Sequence, residues 1–222
     1  MAGLAVSTAW AETPLVALPP LADDAEALPR LGGASPAAAR VNARLAELDA
    51  QALVNRKACL SAGAGSDWAR WVDVRLFGSN ILSLTIQTSF YCAGAAHPSS
   101  YLEALTLDLA TGDPVGWTQV FPASYQNPEQ WSFPSQVLRG SLRLTALYVA
   151  ANGTIDAECS EVIAGVPHDF HIYASAEDRA LVMVPDDLPH AEQACADPVA
   201  IPVATLRGIG VVHPVLDALV DD

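Results

Sequence analysis

Trp71-Val-Asp-Val-Arg-Leu-Phe-Gly-Ser-Asn-Ile-Leu-Ser-Leu-Thr-Ile-Gln-Thr-Ser-Phe90 carries the decisive pattern of the chain. Val72, Val74 and Leu76 alternate with Trp71, Asp73, Arg75 and Phe77, a period of two that belongs to a strand and not to a helix. Gly78-Ser-Asn80 supplies a turn, and Leu82, Leu84, Ile86, Thr88 and Phe90 then alternate with Ser83, Thr85, Gln87 and Ser89. The reading is a hairpin of two strands with one buried face each. Downstream, residues 101–109 place Leu105, Leu107 and Leu109 on one side of a third strand, which ends at the turn Ala110-Thr-Gly-Asp113. Residues 117–121 are expected to close this part of the sheet.

Upstream of the hairpin, Ser35-Pro36 offers a capping hydroxyl followed by a proline at the first helical position. Val41, Leu45, Leu48 and Ala52 then form one apolar stripe, predicting an amphipathic helix over 36–55. Residues 122–136 read as a loop. A second helix is expected over 135–151, stopped by Asn152-Gly153. Short strands follow over 168–174 and 180–184, around the turn Ala176-Glu-Asp178, with short elements over 199–206 and 214–220. Long helices set apart from runs of strands indicate an α+β fold, a mostly antiparallel sheet with two main helices packed on it.

The 222 residues carry 11 basic side chains against 25 acidic ones, a net charge of −14, and Lys57 is the sole lysine. Nucleic acid and anionic membrane surfaces are disfavoured partners, because binding them needs a basic stripe, whereas a basic protein is permitted. Half of the residues are hydrophobic (51%), which argues against a disordered chain. Residues 1–11 are almost all small or apolar and end in Ala9-Trp-Ala11, read as the remnant of a signal peptide. Residues 12–34, with four prolines and Gly32-Gly33, read as an extended, mobile lead-in to a single domain over 35–222. No segment is long enough and apolar enough to span a membrane.

Cys59, Cys92, Cys159 and Cys195 form no C-x-x-C pair, which removes support for zinc or thioredoxin-like chemistry. Three pairings are open to four cysteines. In an exported chain two disulfides are the default, and the favoured pairing is Cys59–Cys92 with Cys159–Cys195. Each closes a loop of about 35 residues, worth roughly 3–4 kcal/mol in the chain-entropy model.

Most catalytic signatures are missing. There is no G-x-S-x-G elbow, no phosphate-binding loop and no H-E-x-x-H. His168 and His171 stand three apart, on opposite faces of a strand, so they do not share a metal, and no metal or other cofactor is expected. Asp169 and His171 share a face. His213, before Pro214, reads as a helix-start residue, and His190 lies beside Asp186 and Asp187 in a turn-like stretch. The segment that stands out is Phe90-Tyr-Cys-Ala-Gly-Ala-Ala-His-Pro98, in which small residues permit a tight bend between a strand and a His-Pro turn. His97 there is expected to cap backbone carbonyls.

Taken with Leu82-Ser-Leu-Thr-Ile86, Leu107-Asp-Leu-Ala-Thr-Gly112 and Val120-Phe121, this segment resembles a domain family. It occurs in the extracellular part of lysozyme-sensing anti-sigma factors of the RsiV type. It also precedes the catalytic domain of peptidoglycan deacetylases of the PdaC type. The closing stretch Leu188-Pro-His-Ala-Glu-Gln-Ala-Cys195 with Val199-Ala-Ile-Pro202 is similar as well, so the likeness covers about residues 36–210. Ala93-Gly-Ala-Ala-His97 departs from the family's Gly-Gly-Ala-His by one extra small residue. The resemblance implies a fold and an extracytoplasmic setting; lysozyme binding belongs to some members only, since fold does not fix function. The expectation is an exported, periplasmic or secreted, non-catalytic binding module for a basic protein such as lysozyme or for a cell-wall glycan. Its contact residues would be Tyr91, Gly94, His97, Pro98, Tyr101 and His190. The alternatives are a small cell-envelope hydrolase using His97 and His190, which requires them to converge, and a purely structural envelope protein.

Overall fold

The computed structural model describes residues 14–78, 80–127 and 137–220. In chain order these form β1 (Leu15–Val16), β2 (Arg30–Leu31), α1 (Pro36–Leu60), β3 (Asp67–Gly78), β4 (Ile81–Tyr91), β5 (Ser99–Asp108), β6 (Asp113–Pro114) and α2 (Trp117–Val120). Then follow β7 (Val137–Arg139), α3 (Leu142–Ala151), α4 (Ala157–Ile163), β8 (Asp169–Ser175), β9 (Ala180–Pro185), β10 (Val199–Pro202), α5 (Val203–Gly208) and α6 (Pro214–Asp217). All strand pairings are antiparallel. One four-stranded sheet runs β3-β4-β5-β6, a second runs β10-β9-β8-β7, and β1-β2 is a small ribbon. The fold is α+β, as the hydrophobic periodicities imply. The signal-peptide reading of residues 1–11 lies outside the described residues, and no helix among those described is long and apolar enough to cross a membrane.

Helix α1 starts where the sequence announces it. Ser35 Oγ accepts the Ala38 N–H at 3.0 Å, and Pro36 takes the first helical position. Val41 and Leu45 are fully buried against Leu82, Leu84, Ile86, Leu105 and Leu107, so α1 covers one face of the first sheet. The hairpin β3–β4 forms as expected, but a bulge at Arg75 between Val74 and Leu76 breaks the expected alternation: Val74 is left 46% exposed, Leu76 turns to pack with Ile81 and Val115, and Phe77 joins Val72 beside Leu82 and Leu84.

The expectation of one buried face per strand fails for β4. Its second face, including Ser83 and Thr85, is buried as well, because the second sheet packs over it. Small hydroxyl side chains suit that position because they close their own hydrogen bonds. Ser83 Oγ lies 3.0 Å from Thr106 Oγ1 and accepts the Ala174 N–H of β8 at 3.0 Å. Ala104 packs beside Tyr173, Val182 and Val184, which joins the sheets apolarly. The far face of the second sheet (Phe170, Ile172, Leu181, Met183) takes Leu144 and Tyr148 of α3 into a second core.

Three further expectations are corrected. Residues 117–121 form no strand: Trp117 and Val120 are buried in the helical turn α2, and the sheet edge is closed instead by β6, paired with Leu107 and Asp108. The apolar run at 137–151 is not one helix. Leu138 pairs with Phe170 in β7; Gly140 then breaks the run, and Ser141 caps α3 by accepting the Arg143 N–H. Gly140 is demanded by space, since a Cβ there would lie 3.0 Å from the His168 carbonyl and from the Phe170 ring.

The lead-in, finally, does not run free. Ala25, Leu28 and Leu31 are buried, and Leu15 pairs with Leu31. Asp49 of α1 holds the segment through a buried charge triad. Its Oδ1 accepts from the Leu28 N–H (3.1 Å) and from Arg70 of β3 (2.8 Å), and its Oδ2 accepts from Arg30 (2.8 Å). Arg56 adds a bidentate pair to Asp24.

Both disulfides join the expected partners, Cys59–Cys92 and Cys159–Cys195. They occupy equivalent places. Each ties a helix (α1, α4) to the segment that follows the second strand of the next hairpin (β3–β4, β8–β9).

Candidate functional site

The two disulfide-anchored segments face one another. After Cys92, Gly94 takes a positive φ of 94° and the Ala95 N–H bonds the Cys92 carbonyl, turning the chain sharply. This brings His97 to the start of β5, where its Nδ1 donates to the Pro98 carbonyl at 2.9 Å, the capping role expected of it. Across from it, a 3-10 turn over His190–Cys195 presents His190. The rings of His97 and His190 stack, with centroids 3.9 Å apart and planes 10° from parallel.

The convergence that a hydrolase would require is therefore present, but an orienting acid is not. Among the described residues no carboxylate is hydrogen-bonded to either ring, and no group of three metal-binding side chains occurs. Tyr101 joins the same region, half exposed and edge-on to Phe90 with centroids 6.0 Å apart. Tyr91 is the last residue of β4 and pairs with Asp67. Pro98 is exposed beside His97.

Next to this contact lies a cleft of about 380 Å³ between the sheets. Gln87 of β4 with Ser100, Tyr101 and Leu102 of β5 line one side; His171, Tyr173, Asp186 and Gln193 line the other, with Arg75. Of these, sequence reading singled out only Tyr101 as a contact. The His171–Asp186 pair (Nε2 to Oδ1, 3.0 Å) joins β8 to the end of β9, and no spacing in the sequence announces it. Gln87 carries no local signal, because it shares the polar face of its strand with Ser83, Thr85 and Ser89. His171 Nδ1 is buried with no partner.

His168 and His171 serve separate acids, as their opposite faces require. His168 Nδ1 lies 2.8 Å from Asp187 Oδ1 and its Nε2 lies 3.1 Å from the Ile163 carbonyl. Both neighbours are acceptors, an arrangement that favours the imidazolium form, which donates from both ring nitrogens. The hydrogen bond to Asp187 accordingly raises the His168 pKa against the opposing effect of burial. A folded-state value above the ordinary one of about 6.5 gives a contribution that is complete below that pH and disappears as pH rises through the folded value. The melting-temperature advantage of the native chain over His168→Gln is expected to shrink from about pH 6 upward; an advantage that grows with pH would contradict the imidazolium assignment. Nearby, Asp169 is pushed up, first by burial and then by Asp187, with Arg139 opposing. Carboxylates crowd this end of the second sheet.

Comparisons with known proteins bear on the fold. A DUF3298-family protein from Bacteroides fragilis superposes with a TM-score of 0.52 at 16% identity, over 86% of this chain and 75% of that one. A DUF3298-family protein from Pseudomonas aeruginosa reaches a TM-score of 0.47 at 17% identity, over 73% and 69%. The first superposition shows an architecture similar to that of a protein whose family name denotes a domain of unknown function. No family profile matches the sequence, and no curated protein matches it.

Proposed function

We propose that the protein is an exported, non-catalytic recognition module whose partner is a basic protein. The observation that carries this reading is the crowding of Asp169, Asp186 and Asp187 at one end of the second sheet of a chain with net charge −14. A cluster of carboxylates on a chain of this charge sets up a negative field, which speeds the encounter with a basic surface. Two disulfides with no free cysteine favour an oxidising compartment, which supports a periplasmic or secreted setting. The sequence resemblance to the extracellular domain of lysozyme-sensing anti-sigma factors points the same way. The stacked His97–His190 pair, without an orienting acid, favours contact over acid–base chemistry.

The test is titration of a lysozyme-type protein against the oxidised chain at roughly 0.01 M and 1 M salt, where the Debye length is ~30 Å and ~3 Å. Binding at low salt that fades at high salt, and that weakens in Asp186→Asn/Asp187→Asn, is expected. Absence of binding at both salt levels overturns this partner.

A further inference from the structure

We infer that the cleft between β4–β5 and the 185–198 segment is a binding site for a short neutral saccharide. A volume of about 380 Å³ falls in the range of small-molecule sites. Its basic groups are already paired. Arg75 donates from Nε to Thr85 Oγ1 at 2.9 Å and from its terminal nitrogen to Asp73 at 3.1 Å, with its guanidinium 5.7 Å from the centre of the Tyr173 ring. His171 is spent on Asp186. An anionic ligand would enter without a free cation to meet it and would lose its hydration, whereas a neutral polyol forfeits only hydroxyl hydrogen bonds that the walls can replace.

The walls hold the means to replace them. Gln87 and Gln193 each offer a planar amide with two donors and an acceptor, and Ser100 a hydroxyl. Aromatic surface completes the arrangement. Tyr101 and Tyr173 line the cleft, and Trp71, 48% exposed, is the cross-strand partner of Gln87 and so extends the same sheet face outward. An indole lying on a polar sheet face presents an apolar platform with hydrogen-bonding groups beside it. The inference does not depend on the basic partner. Electrostatic docking weakens with salt, while a neutral sugar held by amides and rings does not.

Amide chemical-shift titrations of the full oxidised chain with cellobiose, N,N′-diacetylchitobiose and, as an anionic control, glucuronic acid test the assignment. At least one neutral disaccharide should bind with a dissociation constant of about 1 mM or tighter, equally at low and high salt, with shifts gathered at residues 87, 100–102, 171–173 and 193. Gln87→Ala and Trp71→Ala should each weaken it about tenfold or more. Trp71 is surface-exposed, so its variant keeps the fold if Gln87→Ala does not. No shifts with either disaccharide at about 20 mM, shifts lying elsewhere, undiminished binding by the Trp71 variant, or response to glucuronic acid alone would overturn the site.

Discussion

Replacing Asp49 by alanine lowers the stability of the fold by about 3–5 kcal/mol. Asp49 is 4% exposed, and its two oxygens accept from Arg30, Arg70 and the Leu28 N–H. Removing it strands three donors at once, but not equally. The Arg30 side chain is 18% exposed and swings to water, whereas that of Arg70, at 3%, has no such exit. Arg70 also donates to the Glu26 carbonyl, so its displacement unfastens the lead-in from β3. For a chain of this length the loss amounts to roughly 6–20 °C in melting temperature, and the segment over 17–30 should become the first site of proteolytic cleavage. The double change Asp49→Leu/Arg70→Met removes the stranded charge together with its partner and should regain much of the loss. A single-variant loss below about 1 kcal/mol, or a double variant no better than the single one, would show that burial of Leu28 and Leu31 alone holds the segment.

This triad also shows where the sequence stops being legible. Helix α1, the β3–β4 hairpin, β5, the β8–β9 hairpin and both disulfides follow from local period, caps, turn residues and loop closure. Each of these signals lies within a few residues of what it dictates, or in the cysteine count. Asp49 meets its partners across 19 and 21 residues, and nothing local separates it from a solvent-facing helix residue. The docking of the lead-in is illegible for that reason: its prolines mark an irregular path, which is compatible with burial when a helix and a strand supply the hydrogen bonds. The split of 137–151 into β7 and α3 turns on Gly140, whose need for space against the His168 carbonyl and Phe170 is tertiary. The candidate site divides the same way. His97 announces itself through an unusual bend and a His-Pro turn, and His190 through a turn-like stretch beside Asp186 and Asp187, while Gln87 and His171 become neighbours only when the second sheet closes over β4 and β5.

Cleaving the Cys159–Cys195 bridge, by Cys159→Ala/Cys195→Ala, is expected to cost about 3–4 kcal/mol, readable as a lower midpoint in urea. The bridge closes a loop of 36 residues that holds the whole β8–β9 hairpin, so its loss returns a large conformational entropy to the unfolded chain. Cys59–Cys92, which spans 33 residues around β3–β4, should cost nearly the same by that count. The two differ in what else holds the tethered segment. Residue 92 continues directly from β4, which hydrogen-bonds to β3 and β5 along its length. The turn over His190–Cys195 has no strand partner and rests on Cys195, Leu188 and the Tyr148 hydroxyl, which donates to the Asp197 carbonyl at 2.7 Å. Losing the second bridge should therefore also release His190 from His97 and move Gln193 out of the cleft, visible as faster amide exchange over 188–197 under native conditions. Losing the first should leave exchange there unchanged. Equal protection of 188–197 in both variants would assign the placement of this turn to packing by Tyr148 and Leu188, and the bridge would then act on the unfolded chain alone.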